Sequence, residues 1–251
     1  MTRVTYDQLI AEFGAKEKRL RYKLKKYGTV LEAGRKYGLY KIVINPRRQR
    51  TLLVVSGFHG EEFNGPISLS HIFDEVVRYA RRRSVRLIVY PCLNPSGFDL
   101  HKRYNASNEM PNNDFLRYQL PDGNWVGTLQ KDEEEKFVPF KVVDSQAKEV
   151  RLLKRDVLKY RIPAGVLDIH QQKGNLDTGD FYAYIFDLRP VYKNIMDKLK
   201  KFAKVARNDP AMNFEDGREV YYKIDNDGFV VIRDGTLTDM LHRLGTKYAV
   251  A

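Results

Sequence analysis

The stretch TLLVVSGFHGEE, residues 51–62, sets the reading of the whole chain. Its first six residues form a continuous, mostly apolar run of strand length, the pattern of a strand buried on both faces. The turn that follows holds Gly57 and Gly60, which allow a tight bend, and His59 stands three residues before Glu62. In α/β sheets, functional groups gather just beyond the carboxyl ends of strands. A histidine and a glutamate in one compact turn can converge on a metal ion. Taken alone, the same spacing also suits an ordinary surface turn.

A second run, AGVLDI at residues 164–169, ends on His170. Alone, His170 reads as a satisfied core or edge histidine; two buried strands ending in His-x-x-Glu and in His are harder to assign to chance. Working outward, residues 37–44 alternate like a strand, 65–82 have helical spacing, and 85–90 form a strand stopped by Pro91. Residues 91–142 are rich in Asn, Pro, Gly and Asp and read as long loops, which in a compact domain are often functional. Further on, 145–160 and 189–206 read as helices, 181–186, 221–224 and 229–232 as strands, 236–244 as a short helix, and 247–251 as the start of one more strand. Residues 3–26 read as a basic amphipathic helix in one or two parts. Strands alternating with helices predict an α/β fold: a single domain over residues 1–251, with a central mixed, mostly parallel twisted β-sheet and helices on both faces.

Hydrophobic residues make up 43% of the chain and aromatic residues 12%, a globular composition. No apolar run approaches the roughly 20 residues of a membrane helix, and the N-terminal MTRVTYDQLIAEFG has no apolar signal region. No membrane partner is therefore expected. Cys92 is the single cysteine, which rules out an internal disulfide and fits a reducing cytoplasm. The net charge of +12 is concentrated in blocks at 16–26, 47–50, 81–83 and 198–204. These read as solvated helix faces. Such charge would suit nucleic acid or an anionic surface, but no zinc-finger or RNP motif accompanies it, so a nucleic-acid partner is not expected; the charge can also help attract an acidic substrate.

Between the two strand ends lie Asn94-Pro95-Ser96-Gly97, Arg103-Tyr104-Asn105-Ala106 and Asp114-Phe115-Leu116-Arg117, followed by Pro121-Asp122. Together with His-x-x-Glu and the strand-terminal histidine, this ordered set resembles the zinc carboxypeptidase family, which is related to succinylglutamate desuccinylase and aspartoacylase. The resemblance implies a Zn²⁺ cofactor held by His59, Glu62 and His170, two histidines and one carboxylate with a position left open for water. Asp168 or a backbone carbonyl would orient a ligand histidine. It also implies that Arg103 is catalytic, polarising the scissile carbonyl and holding the oxyanion. Arg117 would grip the substrate's terminal carboxylate through both oxygens. Asn105 and Thr238 complete the implied substrate-binding set, Thr238 at the position that sets side-chain preference.

The implied activity is a metallopeptidase acting next to a free C-terminal carboxylate. The alternatives are an amidohydrolase of N-acyl amino acids and a non-catalytic zinc-binding pseudoenzyme. Leu116 departs from the family pattern, standing where an asparagine helps to bind the carboxylate. Tyr221 and Tyr222 are the nearest candidates for the family's substrate-capping tyrosine. The family's catalytic glutamate lies five residues after the tyrosine of a Lys-Tyr pair, so Lys247-Tyr248 places it two residues beyond Ala251. Glu61, Glu215 and Glu219 are poor substitutes, and the natural protein is therefore expected to be longer.

Overall fold

The computed structural model describes residues 3–112, 114–129, 138–171, 180–206, 210–213 and 220–251. In chain order, the first elements are α1 (Tyr6–Leu20), β1 (Lys23–Glu32), β2 (Arg35–Ile44), β3 (Thr51–Ser56), α2 (Asn64–His71), α3 (Phe73–Arg82), β4 (Arg86–Tyr90) and α4 (Pro95–Leu100). Then come β5 (Leu116–Gln119), β6 (Trp125–Val126), β7 (Phe140–Val142), α5 (Lys148–Val157), β8 (Gly165–Ile169) and β9 (Ala183–Ile185). The remainder is α6 (Arg189–Leu199), β10 (Pro210–Asn213), β11 (Val220–Lys223), β12 (Phe229–Val231), α7 (Leu237–Arg243) and β13 (Tyr248–Val250). No helix among the described residues is long and apolar enough to cross a membrane.

Two compact units share the chain. The first takes in Met1–Asn112 and Ser145–Gln171. Its strands run in the order β1-β2-β4-β3-β8. The β1/β2 and β2/β4 pairs are antiparallel, while β4/β3 and β3/β8 are parallel. The sheet is thus mixed, as the sequence pattern predicts. The reason is local: Ala33 and Gly34, both at positive φ, make a two-residue turn that folds β2 straight back on β1. By contrast, α2 and α3 carry the chain from β3 across to its parallel neighbour β4.

The core of this unit gathers Leu9 and Phe13 of α1, Leu39 and Ile42 of β2, Phe73 and Val77 of α3, and Phe98 of α4. Thr5 caps α1 with a capping box in which its side chain and that of Gln8 satisfy each other's backbone N–H groups. A buried polar set ties α5 to the sheet. Lys41 Nζ lies 2.5 Å from Asp156 Oδ2 and donates to Tyr160 Oη at 2.8 Å, and the Tyr90 hydroxyl donates to Asp156 at 2.6 Å.

The second unit takes in Asn113–Asp144 and Gln172–Ala251. In it β9 pairs in parallel with β12 and antiparallel with β13, β5 lies between β6 and β7, and β10 pairs with β11. A buried set at its centre joins Tyr118, Asp239 and Gly235: the Tyr118 hydroxyl donates to Asp239 at 2.7 Å, and Gly235 N–H donates to the same carboxylate at 3.0 Å.

Candidate metal centre

Strands β3 and β8 are parallel neighbours with Ser56 opposite Ile169, so both chains leave the sheet at the same end. His170 follows β8 directly, and the turn after β3 carries His59 and Glu62. Gly57 starts that turn at φ +70°, a conformation L side chains rarely adopt. Gly60 meets a different demand: a Cβ there would lie 1.9 Å from the carbonyl carbon of Gly97. The turn therefore packs backbone against backbone on the start of α4.

Three donor groups converge there. One ligand atom from each of His59, Glu62 and His170 lies within 4.8 Å of the others. His59 Nδ1 is 2.6 Å from Glu62 Oε1, and His170 Nδ1 is 2.8 Å from Glu62 Oε2. The backbone N–H of Gln171 donates to Glu62 Oε2 at 2.9 Å. On the far side of its ring, His170 Nε2 lies 3.1 Å from buried Asp168 Oδ2.

The electrostatics follow from this crowding. Burial alone would raise the pKa of Glu62, but hydrogen bonds from His170 and His59 outweigh it and hold the carboxyl well below the usual range. Burial lowers the pKa of His59, with Glu62 opposing. Burial also pulls His170 down, but the charges of Asp168 and Glu62 overcome it and the net shift is upward. An ionised carboxylate and a neutral imidazole are the forms in which these groups bind a metal.

Arg103 borders the cluster. Its Nη1 lies 3.6 Å from Glu61 Oε1 and 3.7 Å from Glu62 Oε1, and its side chain is 43% exposed. The backbone carbonyl of Arg103 accepts from Gly60 N–H at 3.4 Å and from Asn94 Nδ2 at 3.3 Å. The same Asn94 amide donates to Phe58 O at 3.1 Å, and Asn94 Oδ1 caps α4 by accepting from Gly97 N–H at 2.9 Å. Asn94 and Gln171 organise the site without having been singled out for it in the sequence. Their only signals are the Asn-Pro-x-Gly turn and adjacency to His170.

Known proteins share this arrangement of elements. Residues 48–125 match the succinylglutamate desuccinylase/aspartoacylase catalytic domain. A Shewanella amazonensis protein provisionally named a metallopeptidase superimposes with a TM-score of 0.69 at 22% identity, over 97% of this chain and 81% of that one. Bovine thrombin-activatable fibrinolysis inhibitor gives a TM-score of 0.64 at 12% identity, over 99% and 85%. A metallo-carboxypeptidase from Burkholderia cenocepacia gives 0.57 at 12%, over 97% and 58%. The fold is zinc-carboxypeptidase-like. A sequence search of curated proteins finds no match. The family resemblance read from the ordered motifs agrees with both the domain match and the structural neighbours.

Within this carboxypeptidase-like chain the remaining expected residues fall in different settings. Arg117 sits on β5 in the second unit, 3.1 Å from Asp114, with its side chain 31% exposed. Leu116 is fully buried, because strand alternation sends Leu116 and Tyr118 inward and Arg117 and Gln119 outward. In place of the family asparagine the chain thus has a core residue.

Asn105, implied as a substrate contact, is engaged by residues of its own unit. Its side chain is buried, its Nδ2 donates to Glu109 and Glu149, and its Oδ1 accepts from the N–H groups of Ser107 and Glu109. No hydrogen-bonding capacity remains for a ligand, and Asn105 instead shapes the loop that follows Arg103. Thr238 is likewise buried at the start of α7, with its hydroxyl 2.9 Å from that of Thr236. The side chains of Tyr221 and Tyr222, together with Glu215 and Glu219, lie outside the described residues.

Proposed function

We propose that this chain is a zinc-dependent hydrolase that cleaves a peptide bond next to a free carboxylate. The observation that carries this reading is the convergence of His59, Glu62 and His170 at the ends of two parallel strands, with Arg103 beside them. The donor set fits zinc: two imidazoles and one carboxylate, with Nδ1 of both histidines turned toward Glu62. Bound there, zinc would supply Lewis acidity and an acidified water.

The chain's own residues do the rest. Asp168 holds the His170 ring from behind, and the Gln171 N–H fixes one Glu62 oxygen. Arg103 offers a fixed positive charge to the oxygen that becomes negative as the amide carbonyl is attacked. Asn94 and Gly60 anchor the backbone of Arg103 by donating to its carbonyl. Arg117, with its planar fork of donors, takes the substrate carboxylate. Leu116 contributes nothing to that grip, so recognition rests more heavily on the arginine.

A second reading, an amidohydrolase of N-acyl amino acids, is favoured by the domain match over residues 48–125. One experiment tests both. Metal content is measured by elemental analysis, and turnover is compared on free-acid peptides, their amides and N-acyl amino acids. We expect about one zinc per chain and turnover lost to a chelator. A metal-free protein, or full turnover after chelation, rejects the zinc-dependent reading, and turnover of acyl amino acids alone selects the second.

A further inference from the structure

A second cluster of acids lies in the first unit, away from the two histidines. Glu32 ends β1, Glu149 stands in the first turn of α5, and Glu109 lies in the loop after Arg103. One oxygen from each lies within 4.8 Å of the other two. Glu32 and Glu149 are buried, Glu149 at 2% exposure.

Three features set this cluster apart from a chance meeting of surface acids. First, Oε2 of Glu149 is buried with no hydrogen-bond partner among the described residues. Its other oxygen accepts from Asn105 Nδ2 at 2.9 Å, so the carboxylate is held in place with one oxygen left over. Secondly, the chain contains 44 Lys and Arg residues, yet among the described residues none makes an ion pair with Glu32, Glu109 or Glu149. The groups that do reach them are neutral: Ser107 Oγ donates to Glu32 at 2.7 Å, and Asn105 Nδ2 donates to Glu109 at 2.9 Å. Neutral dipoles do not offset the charge of two buried carboxylates beside a half-buried third. Thirdly, among the described residues these donors reach one oxygen of each carboxylate and none is recorded on the other.

We propose that Glu32, Glu109 and Glu149 form a second metal site, separate from the histidine centre, built for a hard divalent cation of calcium size. An all-carboxylate donor set selects a hard ion over zinc. Calcium–oxygen distances of about 2.3–2.6 Å place opposed ligands about 5 Å apart, which spans this trio, and calcium's loose geometry lets water fill the other positions. The ion would tie β1 and α5 to the loop that begins at Arg103. Its competitor is a proton, since burial, with Glu32 and Glu109 adding, pushes the Glu149 carboxyl up to about 7.

The test uses the whole chain with its zinc content measured before and after. Calcium chloride is titrated by calorimetry, and thermal unfolding is followed in calcium and in sodium chloride of equal ionic strength. We expect saturable binding of about one calcium, a raised midpoint, unchanged zinc, and the same response in His59→Ala. Glu149→Gln and Glu32→Gln, which keep the shape of each side chain, should each lower calcium affinity at least tenfold. No binding at millimolar calcium overturns the site, as does binding that survives both substitutions. A Glu149→Gln protein that is more stable at pH 8 while the parent ignores calcium assigns the position to a proton and also overturns the proposal.

Discussion

Asp168 Oδ2 and His170 Nε2 lie 3.1 Å apart, on the side of the ring opposite Glu62. The carboxylate therefore sets which ring nitrogen faces the glutamate and raises the basicity of that nitrogen. We expect Asp168→Asn to weaken zinc binding about 10- to 100-fold, measured by competition with a chromophoric chelator. Equal zinc affinity in the two proteins would remove Asp168 from the site. His59→Ala and His170→Ala should lose most of the metal.

Gly60 has no room for a methyl group against Gly97. Backbone cannot rotate aside as a side chain can, so Gly60→Ala should cost about 1–3 kcal/mol or more and lower zinc content as well. Denaturant unfolding with elemental analysis reads both. A variant that matches the parent in both would show that the two turns have slack.

Arg117 should distinguish a free acid from its amide. Arg117→Ala is expected to reduce kcat/KM on the free-acid substrate by about 30-fold or more, as for a desolvated charge pair worth 2 kcal/mol or above. Its effect on the amide should be small. Parallel losses on both substrates would mean that Arg117 acts through the fold.

Stability should depend on pH through Glu149. Burial makes its carboxyl harder to ionise in the folded chain, with a pKa of about 7, than in the unfolded one. Between about pH 4.3, the ordinary glutamate value, and pH 7 the unfolded chain has lost this proton while the folded chain keeps it. Stability therefore falls as pH rises through that window and stays lower above it. Without added calcium, Glu149→Gln should flatten the slope. Urea midpoints from pH 4 to 8 test this, and a Gln variant with the parent's slope would count against it.

Lys41 and Asp156 form a buried pair. Lys41→Met leaves buried Asp156 with only the exposed Lys159 ammonium, 3.6 Å away, and should cost about 3–5 kcal/mol. The double variant Lys41→Met, Asp156→Leu should recover much of this, because the charge and its partner leave together. A single variant as stable as the parent would show that Tyr90 and Lys159 suffice for Asp156.

Much of the metal centre could be read from the sequence because each half follows a strand with an unbroken apolar run. Strand β3 begins and ends where TLLVVS does, and β8 falls within AGVLDI. Strand β1 escaped because Lys23, Lys25 and Lys26 look like the charged face of a helix continuing α1; only pairing with β2 reveals the strand. The helical spacing over 65–82 conceals a break at Ile72, which separates α2 from α3. Asn105 matched a binding motif by position, but its amide is consumed by Glu109 and Glu149, and nothing local in the sequence signals that. The acidic cluster was invisible for the same reason: residues 32, 109 and 149 meet only once the sheet, the loop and α5 are in place.

Asn94 donates from one amide nitrogen to two carbonyls, Phe58 O and Arg103 O. One of these precedes His59, a proposed metal ligand, and the other belongs to the arginine beside it. The His59 turn and the arginine loop thus share a single point of suspension. A disturbance at that point reaches both, so the two halves of the site should fail together and should be restored together when the asparagine is returned.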